Sequence, residues 1–185
     1  MFTHLQVASG YSARYGASLP GALVERAVDQ GLDALALTDR DTVAGTVRFA
    51  KAAAKAGVRP LFGVDLAIAR TEAEEPAVSS RRSPARGGAF VDESAPRVTF
   101  LARDRSGWAA ISRMISAAHA DPAARRPLLT WSALRQYADP GLTVLLGVIT
   151  LPTGYTLAPW ADLQPAGDDA TATRKLWTSS PGSAG

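Results

Sequence analysis

A chain of 185 residues, 46% hydrophobic and 20% charged, has room for one domain with a real core and is short for two. No apolar run is long enough to span a membrane, the first ten residues hold neither a basic nor an apolar signal region, and the lack of Cys excludes disulfides and thiolate metal sites. A formal net charge of +3 permits nucleic-acid contact without arguing for it, since an ordinary solvated surface accounts for it.

Thr3 to Ala8 alternates polar and apolar residues, with Leu5 and Val7 on one face, which predicts a short strand. Ser9 to Ala17 reads as a loop. Ser18 is placed to cap a helix with Pro20 in its first turn, where a missing N–H costs nothing. Leu23, Val24, Ala27 and Val28 form its apolar stripe, and Gly31 is its stop.

Ala34 to Thr38 predicts a second strand, apolar on both faces as strands beneath helices are. Asp41 or Thr42 would cap the next helix. Val43, Val47, Ala50 and Ala54 would line its inner side, with Phe49 and Ala53 widening it and Gly57 ending it. Leu61 to Ile68 predicts a third strand. This rhythm with short connections implies a parallel sheet with right-handed crossovers. Acids just past the ends of such strands, here Asp39, Asp41 and Asp65, stand where α/β folds build active sites.

Residues 71–96 break the pattern with Pro, Gly and Ser, acid first and then Arg81, Arg82 and Arg86, and are expected to be a mobile insertion. Val98 to Ala102 predicts another strand. Ser106 would cap a helix whose buried face is Trp108, Ile111, Met114, Ile115 and Ala118. Thr130 would cap a shorter helix with Leu134 and Tyr137, stopped at Asp139-Pro140-Gly141. Leu142 to Ile149 reads as a strongly apolar strand. Past about Thr150 the signals fade. The expected organisation is therefore one domain over 1–150 and a poorly structured segment over 151–185.

Three segments carry a resemblance: HLQVASGYSARYGAS, ALALTDRDTVAGTVRFAKAAAKAGVRPLFGVDL and RVTFLARDRSGWAAISRMISAAH, in that order. Together they resemble the N-terminal PHP domain (polymerase and histidinol phosphatase domain) of DnaE-type bacterial DNA polymerase III α subunits. The RYGAS and TDRD forms are similar to the divergent actinobacterial copies grouped with error-prone polymerases. The resemblance implies an α/β fold, the PHP-type distorted (βα)7 barrel, incomplete in this chain. It also implies, in active members, a multinuclear Zn or Mn site at the strand ends.

The motifs that would hold those metals depart from the family pattern. Where the first motif has two His ligands, this chain has Gln6 and Ala8, and only His4, at the non-ligand position, survives. The Thr-Asp-His-Gly motif is Thr38-Asp39-Arg40-Asp41, and Gly-x-Glu is Gly63-Val64-Asp65. A His that often precedes the following strand would fall near Arg97. A hydrolytic centre needs several neutral His and bridging carboxylates to fix its ions and activate water, and this chain has two His in all, His4 and His119. Arg40 repels divalent cations and fits a carboxylate bidentately, so it is expected to pair with Asp39 or Asp65. His4, Gln6, Ala8, Asp39, Arg40 and Asp65 are thus expected to be a vestigial site with no catalytic residue, no metal and no cofactor of its own. Plain structural roles compete with this: Asp at a strand end or a helix N-cap is common, and His119 suits a helix C-terminus.

The expected function is the N-terminal PHP portion of a DnaE-type α subunit in DNA replication or translesion synthesis. It would be structural and cytoplasmic, without polymerase or phosphoesterase activity of its own. Mg-dependent nucleotidyl transfer in that family belongs to a palm domain, and nothing after residue 150 resembles one. The partners implied are the rest of the α subunit, replication or repair proteins, and DNA through the parent polymerase. The competing reading is a stand-alone PHP-type metal-dependent phosphoesterase, against which the missing His ligands weigh.

Overall fold

The computed structural model describes residues 2–69, 95–121 and 126–146. The expected insertion at 71–96 lies outside these residues except for Ala95 and Pro96, and the expected unstructured segment 151–185 lies wholly outside them.

Among the described residues four helices and four strands follow one another: α1 (Pro20–Asp29), β1 (Ala34–Leu37), α2 (Thr46–Ala56), β2 (Arg59–Ala67), β3 (Arg97–Ala102), α3 (Arg105–Ala118), α4 (Trp131–Tyr137) and β4 (Leu142–Leu146). The strands form one sheet in the order β1-β2-β3-β4. β1 and β2 run parallel, as the βαβ pattern predicts. Beyond the stretch that pattern covers, the sheet is antiparallel, β2 with β3 and β3 with β4. For β4 the reason is visible. Two helices, not one, separate it from β3, so the chain is back at the end where β3 finished, and Ala102 pairs with Leu142. α3 closes tightly on that return. A Cβ on Gly107 would collide with the carbonyl oxygen of Gly141, so only glycine allows the approach.

Among the described residues, two large apolar clusters and a small one of Ala67, Ala69, Ala95 and Leu128 hold the unit together. Val24, Ala27, Leu35, Leu37, Phe49, Ala53 and Val58 join α1 and α2 to β1. Val64, Leu66, Phe100, Ile111, Met114 and Leu129 lead the second, which seats α3 on β2 and β3. Burial stabilises each such large side chain by roughly 1.5–3 kcal/mol. Alternation along the strands then fixes what faces the other way. Val64, Leu66 and Phe100 enter the α3 cluster, so Asp65 and Thr99 project from the opposite face.

Local departures from the sequence reading have local causes. Residues 3–8 are not a strand. The segment is tied to β1 by a single parallel bridge, His4 to Leu35, and by Ala36 N–H to His4 O and Thr38 N–H to Val7 O. Val7 N–H goes to the Thr38 hydroxyl instead of a ladder carbonyl, which ends the pairing. Leu5 stays exposed while Val7 packs on the α2 side. Leu19, not Ser18, is the N-cap of α1, with no side-chain bond, and Pro20 opens the helix as expected. α2 begins at Thr46 behind Gly45, four residues after the expected Asp41–Thr42 cap, because Asp41 is occupied elsewhere. Its buried residues are Phe49 and Ala53, while Val47 is 65% exposed. Gly57, with φ at +72°, ends it as expected. α3 is capped by Asp104, which accepts from Gly107 N–H, and Ser106 instead donates to Asp104 and Asp139. The α4 cap at Thr130 stands where the sequence reading put it.

Candidate functional site

The candidate site lies where the β1–β2 pairing runs on past β1. Asp65 N–H donates to Asp39 O, and Asp41 N–H donates to Asp65 O, so Arg40 and Asp65 form a parallel bridge beyond the strand. Register alone thus sets Arg40 beside Asp65. On the other side of Asp65, β3 places Thr99 directly opposite and Arg97 diagonally, on the same face.

Asp65 is 9% exposed and receives both cations on one oxygen. Arg97 Nε lies 2.8 Å and Arg40 Nε 3.2 Å from Asp65 Oδ2. Arg97 Nη2 also donates to Asp65 O at 2.7 Å and to Asp41 Oδ1 at 3.0 Å. Burial works to lower the Arg97 pKa, but the adjacent charges and hydrogen bonds of Asp65 and Asp41 outweigh it and raise the group above its usual value. Arg97 is therefore a fixed cation. Arg40 also lies over the Tyr15 ring, its guanidinium carbon 3.5 Å from the centroid. Among the described residues, Arg40 and Arg97 thus face the carboxylates of Asp65 and Asp41.

Asp39 is 1% exposed and takes no part in these ion pairs. It accepts from Ser9 N–H at 2.6 Å, Ser9 Oγ at 2.8 Å and Ser12 Oγ at 2.6 Å. The Ser12 hydroxyl in turn accepts from Arg40 N–H at 2.9 Å. Asp39 therefore pins the 9–12 turn beneath the Arg40 loop. Asp41 has φ at +57°, a left-handed conformation that Asp tolerates, and this directs it to Arg97 and away from an N-cap. His119 Nε2 lies 2.7 Å from Asp41 O. A carbonyl only accepts, so Nε2 donates, tying the end of α3 to the same loop.

Of the residues singled out from the sequence, Arg40 and Asp65 meet. Asp39 adjoins them through Ser12 and is not the partner of Arg40. Gln6 reaches the same face by donating to Thr99 Oγ1 at 2.9 Å, and Ala8 has no donor to offer. The exposed His4 ring packs edge-on against Phe2. No metal-ligand position marks Ser9, Ser12, Tyr15 or Thr99 in the sequence; Asp41 reads there as a strand-end acid or a helix N-cap, His119 as a helix C-terminal group, and Arg97 only as the place of a lost His. Alternation on β3 was a usable signal for Arg97 and Thr99; none marked His119.

A multinuclear metal centre does not fit this set. An amide, a methyl and a guanidinium stand at Gln6, Ala8 and Arg40, where the family's pattern has His, and Asp65 Oδ2 is shared by two guanidinium groups. Among the described residues no three His, Cys, Asp or Glu are grouped to hold an ion. None of the described helices is long and apolar enough to cross a membrane.

The family model of the PHP domain matches residues 4–172. An error-prone DNA polymerase of Mycobacterium bovis is 37% identical over 150 residues, covering 79% of this chain and 12% of that protein. One from Nocardia farcinica is 38% identical over 140 residues, covering 64% of this chain and 12% of its own length. The chain thus spans about an eighth of the length of these polymerases. A solved amidohydrolase structure from Chromobacterium violaceum superposes with a TM-score of 0.37 at 22% identity, over 60% of this chain and 32% of that one, too distant a likeness to bear on function. The match across most of its length makes this chain a member of the PHP domain family, with homology to error-prone DNA polymerases.

Proposed function

We propose that the chain is the PHP portion of an error-prone, DnaE-type DNA polymerase, and that it serves that larger protein as a metal-free structural module in the cytoplasm. The observation that carries the second half is the sharing of Asp65 Oδ2 by Arg40 and Arg97. A carboxylate that neutralises a metal in an active centre here neutralises guanidinium groups from the loop after β1 and from β3. The cluster then does what a bound ion does mechanically: it joins the Arg40 loop to β2 and β3, while Asp39 anchors the 9–12 turn. Nucleotidyl transfer, and the Mg ions it needs, would belong to the remainder of the polymerase. The partners would be that remainder, replication or repair proteins, and DNA reached through the polymerase.

Metal analysis of the purified chain, with a phosphatase assay on p-nitrophenyl phosphate, tests the structural role. The expected result is metal well below stoichiometric and no metal-stimulated turnover. Stoichiometric, tightly held Zn, Mn or Fe with phosphate release would overturn it in favour of a stand-alone phosphoesterase. Reading the coding DNA beyond Gly185 tests the larger context, where palm-domain sequence is expected.

A further inference from the structure

We propose that the exposed face of α2, presented by Arg48, Lys51 and Lys55, is a contact surface for the phosphate backbone of DNA. All three side chains are exposed. At 100° per residue they fall within an arc of about 60°, roughly opposite the arc of Phe49 and Ala53. Those two residues are fully buried and anchor the helix in the α1–α2–β1 core. The stripe is therefore held rigidly outward.

Its sign is unmixed. Thr42 to Val64 contains Arg48, Lys51, Lys55 and Arg59 and no Asp or Glu. Among the described residues, no ion pair or other electrostatic contact holds Arg48, Lys51 or Lys55, in contrast to Arg40 and Arg97, whose charges are spent inside the fold. On a solvated helix face Glu–Lys pairs at i, i+4 add stability. This face forgoes that stabilisation. The three cations span about 10.5 Å of helix, with steps of about 4.5 and 6 Å. That approaches the density of one DNA strand, a phosphate every ~3.4 Å of axis. Charge complementarity thus points to a regular polyanion. The choice of DNA rests on the polymerase reading; the charge stripe itself does not.

The test is fluorescence anisotropy of a labelled 20-base-pair duplex with the full chain and with the R48Q/K51Q/K55Q variant, titrated from 50 to 200 mM salt. Gln keeps helix propensity, and circular dichroism checks that the variant is folded. The expected result is at least tenfold weaker binding by the variant at 50 mM salt. The log–log salt slope should also be shallower by about 2.7, three phosphate contacts at ~0.9 each. Equal affinity and slope for the two proteins, or no binding by the unmodified chain at 50 mM salt, would overturn the proposal. So would poly-glutamate of matched charge binding as tightly as the duplex, which would assign the face to an acidic protein. Metal content measured on the same sample separates the two readings. DNA binding by a chain with a loaded, active metal centre keeps the stripe and removes the scaffold role. A metal-free chain that ignores DNA does the reverse.

Discussion

Arg97 Nε stands 2.8 Å from Asp65 Oδ2, across a strand pair in which the two residues are diagonal neighbours. The same oxygen accepts from Arg40 at 3.2 Å, so one carboxylate answers two guanidinium groups, each with about a fifth of its side chain exposed. Removing one partner of a buried pair leaves the other charge uncompensated, which is what makes such pairs costly to break. The Asp65→Ala chain should lose about 3 kcal/mol, read as a lower urea midpoint at unchanged m-value. A loss under about 1 kcal/mol would mean that solvent, and not Asp65, carries these charges.

The shared oxygen also predicts how the two arginines combine. Arg97 holds Asp65 Oδ2 at 2.8 Å, Asp65 O at 2.7 Å and Asp41 Oδ1 at 3.0 Å, so it joins two acids, whereas Arg40 reaches Asp65 Oδ2 at the longer 3.2 Å and lies over the Tyr15 ring. Arg97→Ala should therefore destabilise more than Arg40→Ala. The double variant should depart from additivity by about 0.5–3 kcal/mol, as for residues in one network. A double-mutant cycle by urea denaturation measures this. Strict additivity would show that the cluster is two independent pairs.

How far the sequence reveals this site depends on what kind of information sets each contact. β1, β2 and β3 are legible because runs such as Ala34 to Leu37 are buried throughout. Arg40 and Asp65 are legible because the parallel pairing fixes their register. The partner choice is not: the 9–12 turn, whose two serines satisfy Asp39, has no periodicity to announce it. The antiparallel direction of β4 is legible by contrast, since it follows from how many helices precede it, and α3 and α4 both form where the sequence predicts helices. The start of α2 misleads. Asp41 has the chemistry of an N-cap, but an arginine 56 positions away outcompetes the helix for it. Long-range ion pairs override local propensity here, and only the folded sheet brings their members together.

Ser12 is the residue through which Asp39 and the Arg40 loop communicate. Its hydroxyl donates to Asp39 Oδ1 at 2.6 Å and accepts from Arg40 N–H at 2.9 Å. Ser12→Ala removes a hydrogen bond to a charged group and leaves a backbone donor unpaired, for a loss of about 2 kcal/mol. Ser9→Ala should cost less: the Tyr11 N–H that loses its acceptor was held only at 3.2 Å, against 2.9 Å for Arg40 N–H on Ser12, and Ser9 N–H still donates to Asp39 at 2.6 Å. Thermal unfolding of the two variants gives the order directly. If Ser9→Ala is the worse of the two, the backbone bond is not the main anchor of the turn.

Asp104 supplies a pH dependence whose sign can be worked out. The Gly107 N–H at the start of α3, with help from the Ser106 hydroxyl, holds its carboxyl below the ordinary value of 3.8. A carboxyl whose pKa is lower in the folded chain than in the unfolded one stabilises the fold above the unfolded value. That contribution fades as pH falls through the folded value. Asp104→Asn keeps an oxygen acceptor for the cap but removes the charge, and with it this dependence. The variant should therefore melt at a lower temperature than the parent chain near neutral pH. The gap should narrow as pH drops below about 3.8, where the parent is also losing its charge. Melting both proteins by circular dichroism from about pH 6 down to about pH 2.5 measures the gap. A gap that stays constant over that range would place the value of Asp104 in its hydrogen bond alone, with no share for its charge at the N-terminus of α3.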